Sequence, residues 1–176
     1  MTDDFEYCLK IADRDYSLVA DETIFKADLL RFSSLASFQL FDHAVQAEKE
    51  ALVANFEVLI QSLRFAEQAL EIYKAECQHS HRTHPVYEPN KYGMALCLFT
   101  LGYIYQHFSD ALCDTRMLSE PAYENYMMTE KKQCMNKAVY YFKLAIEEFK
   151  AVNHLMGAFL CKFNQWKIMK SLVYLI

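Results

Sequence analysis

Glycine and proline are scarce in this chain, three of each among 176 residues. So few turn formers exclude a sheet fold built on tight hairpins and favour long helices. No CxxC pair and no Asn-x-Ser/Thr acceptor occurs. The six cysteines, at 8, 77, 97, 113, 134 and 161, are therefore expected to be reduced packing thiols rather than a disulfide framework. Gly-x-Ser-x-Gly, a phosphate-binding glycine loop and His-Glu-x-x-His are also missing, so the sequence offers no catalytic motif and no enzyme is expected. The net charge is −5 and basic residues form no dense cluster, which gives no reason to expect nucleic acid. The longest nearly apolar run, Met94 to Tyr105, is too short to span a bilayer. The first residues, Met-Thr-Asp-Asp-Phe-Glu, lack the basic and apolar regions of a signal peptide, so a cytoplasmic protein is expected.

What the chain does have is apolar mass. Hydrophobic residues make up 53% and aromatics 15%, enough for large, filled packing seams in one all-α domain spanning 1–176. A short acidic helix is expected near 4–12, followed by a charged turn at Asp13-Arg14-Asp15 and a cap at Asp21 or Thr23. Residues 24–77 read as a first helical pair. Phe25, Leu29, Phe32, Ala36 and Leu40 recur at helical spacing, then Phe56, Leu59, Leu63, Ala66, Leu70 and Tyr73. The polar run 46–50 is the expected break, with one bent helix over 24–77 as the alternative. Pro85 and Pro89 mark a loop over 78–90. A second pair follows over 91–151, with a helix over 91–109, an inserted segment at about 110–130 and a helix from Glu130 capped by Thr129. The last helix runs from His154 to the end.

Within that second pair, Leu98, Leu101 and Tyr105 share one helical stripe, and Gly102 lets a second helix approach the backbone closely. Ala138 and Ala145 flank an aromatic knob, Phe142, on the partner helix. These two spacings resemble the tetratricopeptide-repeat superfamily, whose first helix carries a large residue, leucine–glycine and tyrosine, and whose second carries alanine–aromatic–alanine. Ala69-Leu70-Glu71 and Tyr73 resemble the end of an earlier second helix. The likeness covers about a quarter of the chain. Two features depart from it. Gly102 and Ala138 are separated by an insertion of about two dozen residues, and Lys150 stands where the family usually has proline. The resemblance implies antiparallel hairpins stacked as a right-handed array, with an irregular helical bundle as the alternative. It further implies a non-catalytic adaptor or scaffold that binds another protein.

On the same resemblance, Phe99, Tyr103, Gln106 and His107 would point into a concave groove and receive a peptide or helix. The alternative is that the C-terminal helix fills that groove. Chaperone-binding relatives clamp a terminal carboxylate with lysine and asparagine; Phe99 and Tyr103 stand at those places, so an apolar partner is expected. Tyr123, Tyr126 and Met127 form a possible second contact, since tyrosine and methionine give adaptable area. Cys77, His79, His81 and His84 crowd eight residues and are the weak metal candidates, with Glu76 and His79 at the spacing of half a di-iron site. A tetrahedral site usually draws on two segments and no second cluster exists, so a solvated loop and no cofactor are expected. The final residues, Ser171-Leu-Val-Tyr-Leu-Ile176, are apolar on too many sides to end a solvated helix. They are expected to pack on their own core, on the inserted segment, on a partner, or on a second copy. Lys162, Lys167 and Lys170 around Trp166 resemble an amphipathic membrane-surface patch, but in an acidic chain they read as solvated edge charges with apolar stems, and no membrane is expected.

Overall fold

Helices account for nearly all of the described residues, 23–47, 56–79, 87–114 and 121–173 of this computed structural model, and no strand occurs among them. Among the described residues five helices follow one another: α1 Thr23–Ala47, α2 Phe56–His79, α3 Tyr87–Asp114, α4 Pro121–Ala151 and α5 Leu155–Val173. The fold is all-α, as the shortage of glycine and proline requires. The helix expected at 4–12 and the turn at 13–15 lie outside the described residues. The chain divides into two compact units, Met1–Cys97 and Leu98–Ile176, with the division inside α3.

The first unit centres on an α1–α2 pair, which excludes the single bent helix over 24–77. Tyr73 meets Asp28 near one end and Ser62 meets Ser34 nearer the middle, so the two helices run antiparallel. The stripe expected to bury α1 is the wrong one. Phe25 and Phe32 are exposed, and of the expected five only Ala36 is buried. The buried face is instead Ala27, Leu30, Ser34, Ser37, Phe38 and Phe41. Small residues win that face because they let the backbones close in. Ser62 Oγ donates to the Ser34 carbonyl at 2.8 Å, a contact that a large apolar side chain would prevent. Exposed Phe32 is covered in part by the Arg31 guanidinium, 4.3 Å from its ring centre. On α2, Leu59, Ala66, Leu70 and Tyr73 are buried as their spacing predicts.

Helix boundaries differ from the expectation at two of the three prolines, Pro85 lying outside the described residues. Pro89 falls inside the first turn of α3, where its missing N–H costs no hydrogen bond. Pro121 is the first residue of α4, a position its fixed φ suits. Thr129 is therefore interior to α4 rather than its cap, and most of the expected insertion belongs to the ends of α3 and α4.

In the second unit, α3 and α4 cross where Gly102 lacks a side chain. A Cβ there would lie 2.9 Å from the Phe142 ring, so this crossing requires glycine. Leu98, Leu101, Ala138, Phe142 and Ala145 are all buried in the seam. Tyr105 stacks on Tyr141 at 5.7 Å, with the Lys137 ammonium 5.0 Å from its ring.

The α4–α5 turn forms without glycine or proline. Asn153 takes the left-handed conformation, φ 56°, which asparagine tolerates better than most residues. The His154 N–H then donates to the Phe149 carbonyl at 2.8 Å, and the Asn153 N–H to the Lys150 carbonyl at 3.1 Å. This is a Schellman closure, with the Phe149 and His154 rings packed 5.3 Å apart. His154 also caps α5: its Nδ1 accepts from the Gly157 N–H at 3.0 Å, and its carbonyl accepts from the Ala158 N–H at 3.2 Å.

Candidate docking surfaces

The row proposed by sequence lies on α3. Phe99, Tyr103 and His107 follow one another at helical four-residue steps, with ring centres 6.1 Å and then 4.2 Å apart. All three are half-buried. Phe99 also leans on Phe142 at 5.7 Å, so the same seam that holds the helices orients the first ring of the row. Gln106 does not share this exposure. It is buried, at 8% exposed, and its Oε1 has no hydrogen-bond partner among the described residues. Ser109 Oγ donates to the Gln106 carbonyl at 2.6 Å, which secures the backbone but leaves the amide oxygen bare. Tyr123, Tyr126 and Met127 belong to the first turns of α4, and their side chains lie outside the described residues.

The metal candidates do not assemble within the described residues. Cys77 is half-buried near the end of α2, and His79 is the last residue of that helix. The His79 side chain and all of His81 and His84 lie outside the described residues. Among the described residues, no group of three or more His, Cys, Asp or Glu side chains is placed to hold a metal ion.

Burial sets the chemistry of the thiols. Desolvation pushes Cys97 and Cys161 up to about 12 and Cys134 up to about 11. At neutral pH these three remain protonated and are poor nucleophiles. The Tyr73 hydroxyl is likewise held protonated by burial, and then by its 2.6 Å hydrogen bond to Asp28. Arg31 lies 3.6 Å from the same carboxylate. The Tyr73–Asp28 hydrogen bond ties α1 to α2. A shallow groove of about 440 Å³ lies between α1 and α2, lined by Lys26, Arg64, Glu67 and Glu71 among others. Its charges are mixed, and Glu71 is paired with Lys74 at 2.8 Å.

The second surface is one that the residue pattern only hinted at. Helix α5 buries Gly157, Ala158, Cys161 and Ile168. Its opposite face leaves Phe159 at 62% and Trp166 at 58% exposed, together with Met156, Leu160, Phe163 and Met169. With about 100° between successive residues, Phe159, Phe163 and Trp166 fall within one sector, facing away from the buried stripe. Phe163 and Trp166 stack at 6.3 Å. Of the final residues expected to pack on a core, Ser171 and Val173 are exposed, and 174–176 lie outside the described residues. Whole-helix hydrophobicity concealed the split, because α5 is apolar on both faces.

The chain matches no protein-family model, no curated protein and no solved structure.

Proposed function

We propose that this protein is a non-catalytic docking module, a tetratricopeptide-like helical scaffold that holds another protein on the aromatic row of α3. The observation that carries this reading is the half-exposed row Phe99, Tyr103 and His107, stacked ring to ring on a helix pinned at Gly102 by Phe142. Rings already held by neighbours lose little freedom when a partner covers them, so their area converts to affinity at low entropic cost. An apolar peptide or amphipathic helix suits the row, with Tyr123, Tyr126 and Met127 of α4 as a second contact. Gln106 is dropped from the docking set, since a buried amide cannot meet a partner. The protonated state of Cys97, Cys134 and Cys161 supports a packing role for these thiols over a nucleophilic one. A cytoplasmic setting, where such thiols stay reduced, accords with this reading.

The test is affinity capture from native cell extract with wild type and a Phe99→Glu/Tyr103→Glu double variant, each checked for helicity by circular dichroism. A protein held by wild type, lost by the folded variant, and bound directly once purified supports the row as the docking site. Identical capture by both proteins removes the row from consideration.

A further inference from the structure

The outer face of α5 makes a different kind of surface from the α3 row, and its chemistry narrows what can cover it. Lys162, Lys167 and Lys170 are the only charged residues of α5. The Lys167 ammonium lies 5.5 Å from the Phe163 ring centre and that of Lys170 5.6 Å from Trp166, so cations and rings form one mixed face. The wider sequence shares this sign. Residues 129–176 carry eight lysines and three glutamates, whereas residues 1–128 carry ten basic and twenty acidic residues. The net charge of −5 is thus an average over two opposite halves, and the argument from net charge against an anionic partner fails locally.

Two further observations identify the occupant. A second copy would bring the same three lysines and no carboxylate to the interface, setting like charges together in a partly desolvated contact. The cations are also all lysine, with no arginine after Arg116. Protein–protein contacts favour arginine and are depleted in lysine. A lipid surface suits lysine, whose stem lies along apolar matter while its strongly hydrated ammonium stays among the headgroups. The exposed half of a helix is moreover a ridge, a shape that a lipid surface accepts to a depth of about 5–10 Å. No helix among the described residues is long and apolar enough to cross a membrane, so the contact is in-plane.

We infer that the outer face of α5 docks on the anionic surface of a lipid bilayer. Phe159, Phe163 and Trp166 sit at the headgroup–acyl boundary, and Lys162, Lys167 and Lys170 meet the phosphates. This surface is separate from the α3 row and does not depend on it.

Trp166 is the only tryptophan of the chain, so its emission reports on this face directly. The full chain is titrated with vesicles of phosphatidylcholine alone and with vesicles containing about a third phosphatidylserine. The expected result is a blue shift and co-sedimentation with the anionic vesicles only, weakened by salt. A Lys162→Glu/Lys167→Glu/Lys170→Glu variant that retains its helicity should partition at least roughly a hundredfold less, given the contribution of each lysine near such a surface. A Phe159→Gln/Phe163→Gln variant, which keeps every lysine, should lose the blue shift. The Phe99→Glu/Tyr103→Glu variant should bind vesicles as wild type does, which separates this inference from the docking function proposed for α3. Three outcomes overturn it: no response to anionic vesicles at low salt, an equal response to neutral vesicles, or an emission already blue-shifted in a dimer and unchanged by lipid.

Discussion

The α1–α2 and α4–α5 pairs are both antiparallel, yet they distribute polarity in opposite ways. The first puts polar groups inside: Ser34, Ser37 and Ser62 are buried, and Tyr73 is tied to Asp28. The second leaves apolar groups outside, on the face of α5 carrying Phe159 and Trp166. The Ser62 and Tyr73 hydroxyls donate across the pair, whereas the Ser37 hydroxyl is buried with no hydrogen-bond partner among the described residues. The α5 aromatic face is not covered by the described residues of its own unit. The contrast teaches that internal polarity here specifies which helix faces meet, while external apolarity is the observation from which the docking surface on α5 is proposed.

The largest test of that contrast compares the apolar cores of the two units. Phe38→Ala and Phe142→Ala each remove a fully buried ring, and each should cost about 3–5 kcal/mol by urea denaturation. Phe159→Ala on the exposed face should cost well under 1 kcal/mol in the same measurement, on the order of a surface change. A large loss there would mean that the α5 face is core after all. Gly157→Ala comes next. Its Cβ would meet the Phe149 ring at 2.7 Å and His154 Nδ1 at 2.6 Å, so a loss of about 1–3 kcal/mol is expected as the turn is forced open.

Tyr73→Phe probes the polar interior. It deletes the hydrogen bond to Asp28 and should cost about 1–2 kcal/mol at neutral pH. The same region sets a pH dependence. Cys97 is raised from 9.0 to about 12, so the folded state holds its proton where the unfolded state has lost it. Stability from this group is therefore complete below about pH 9 and declines from there through about pH 12. Cys134 and Cys161 act with the same sign, so urea midpoints should fall as the pH rises above about 9. Mass mapping after brief alkylation at pH 8 should find Cys97, Cys134 and Cys161 protected relative to half-buried Cys77. The smallest effect is a gain. Gln106→Met removes a bare buried amide oxygen and should raise stability by up to about 1 kcal/mol.

Much of this fold was legible where chemistry and spacing agree. Gly102 with Phe142, and the alanines at 138 and 145, announce a close helix crossing because only small residues permit one. The α1 face was not legible, because a hydrophobicity pattern ranks Phe25 and Phe32 above the serines that close packing selects. The turn after Ala151 was placed correctly even without glycine or proline, with α4 ending at Ala151 and α5 starting at Leu155; what the pattern did not single out was Asn153, which tolerates the positive φ. Of the docking residues, Phe99, Tyr103 and His107 fall together as their spacing requires, whereas Gln106 turns inward by one helical step. The outer half of α5 was marked in the sequence by Lys162, Lys167 and Lys170 around Trp166, but the acidic net charge of the chain led to their reading as mere edge charges.

The turn centred on Asn153 also has a mechanical side. His154 supplies the last backbone closure of α4 and the first side-chain cap of α5, so the two helices share one residue as a common clasp. A pull on α5 from whatever it rests upon passes straight into the last turn of α4, with no slack linker to absorb it.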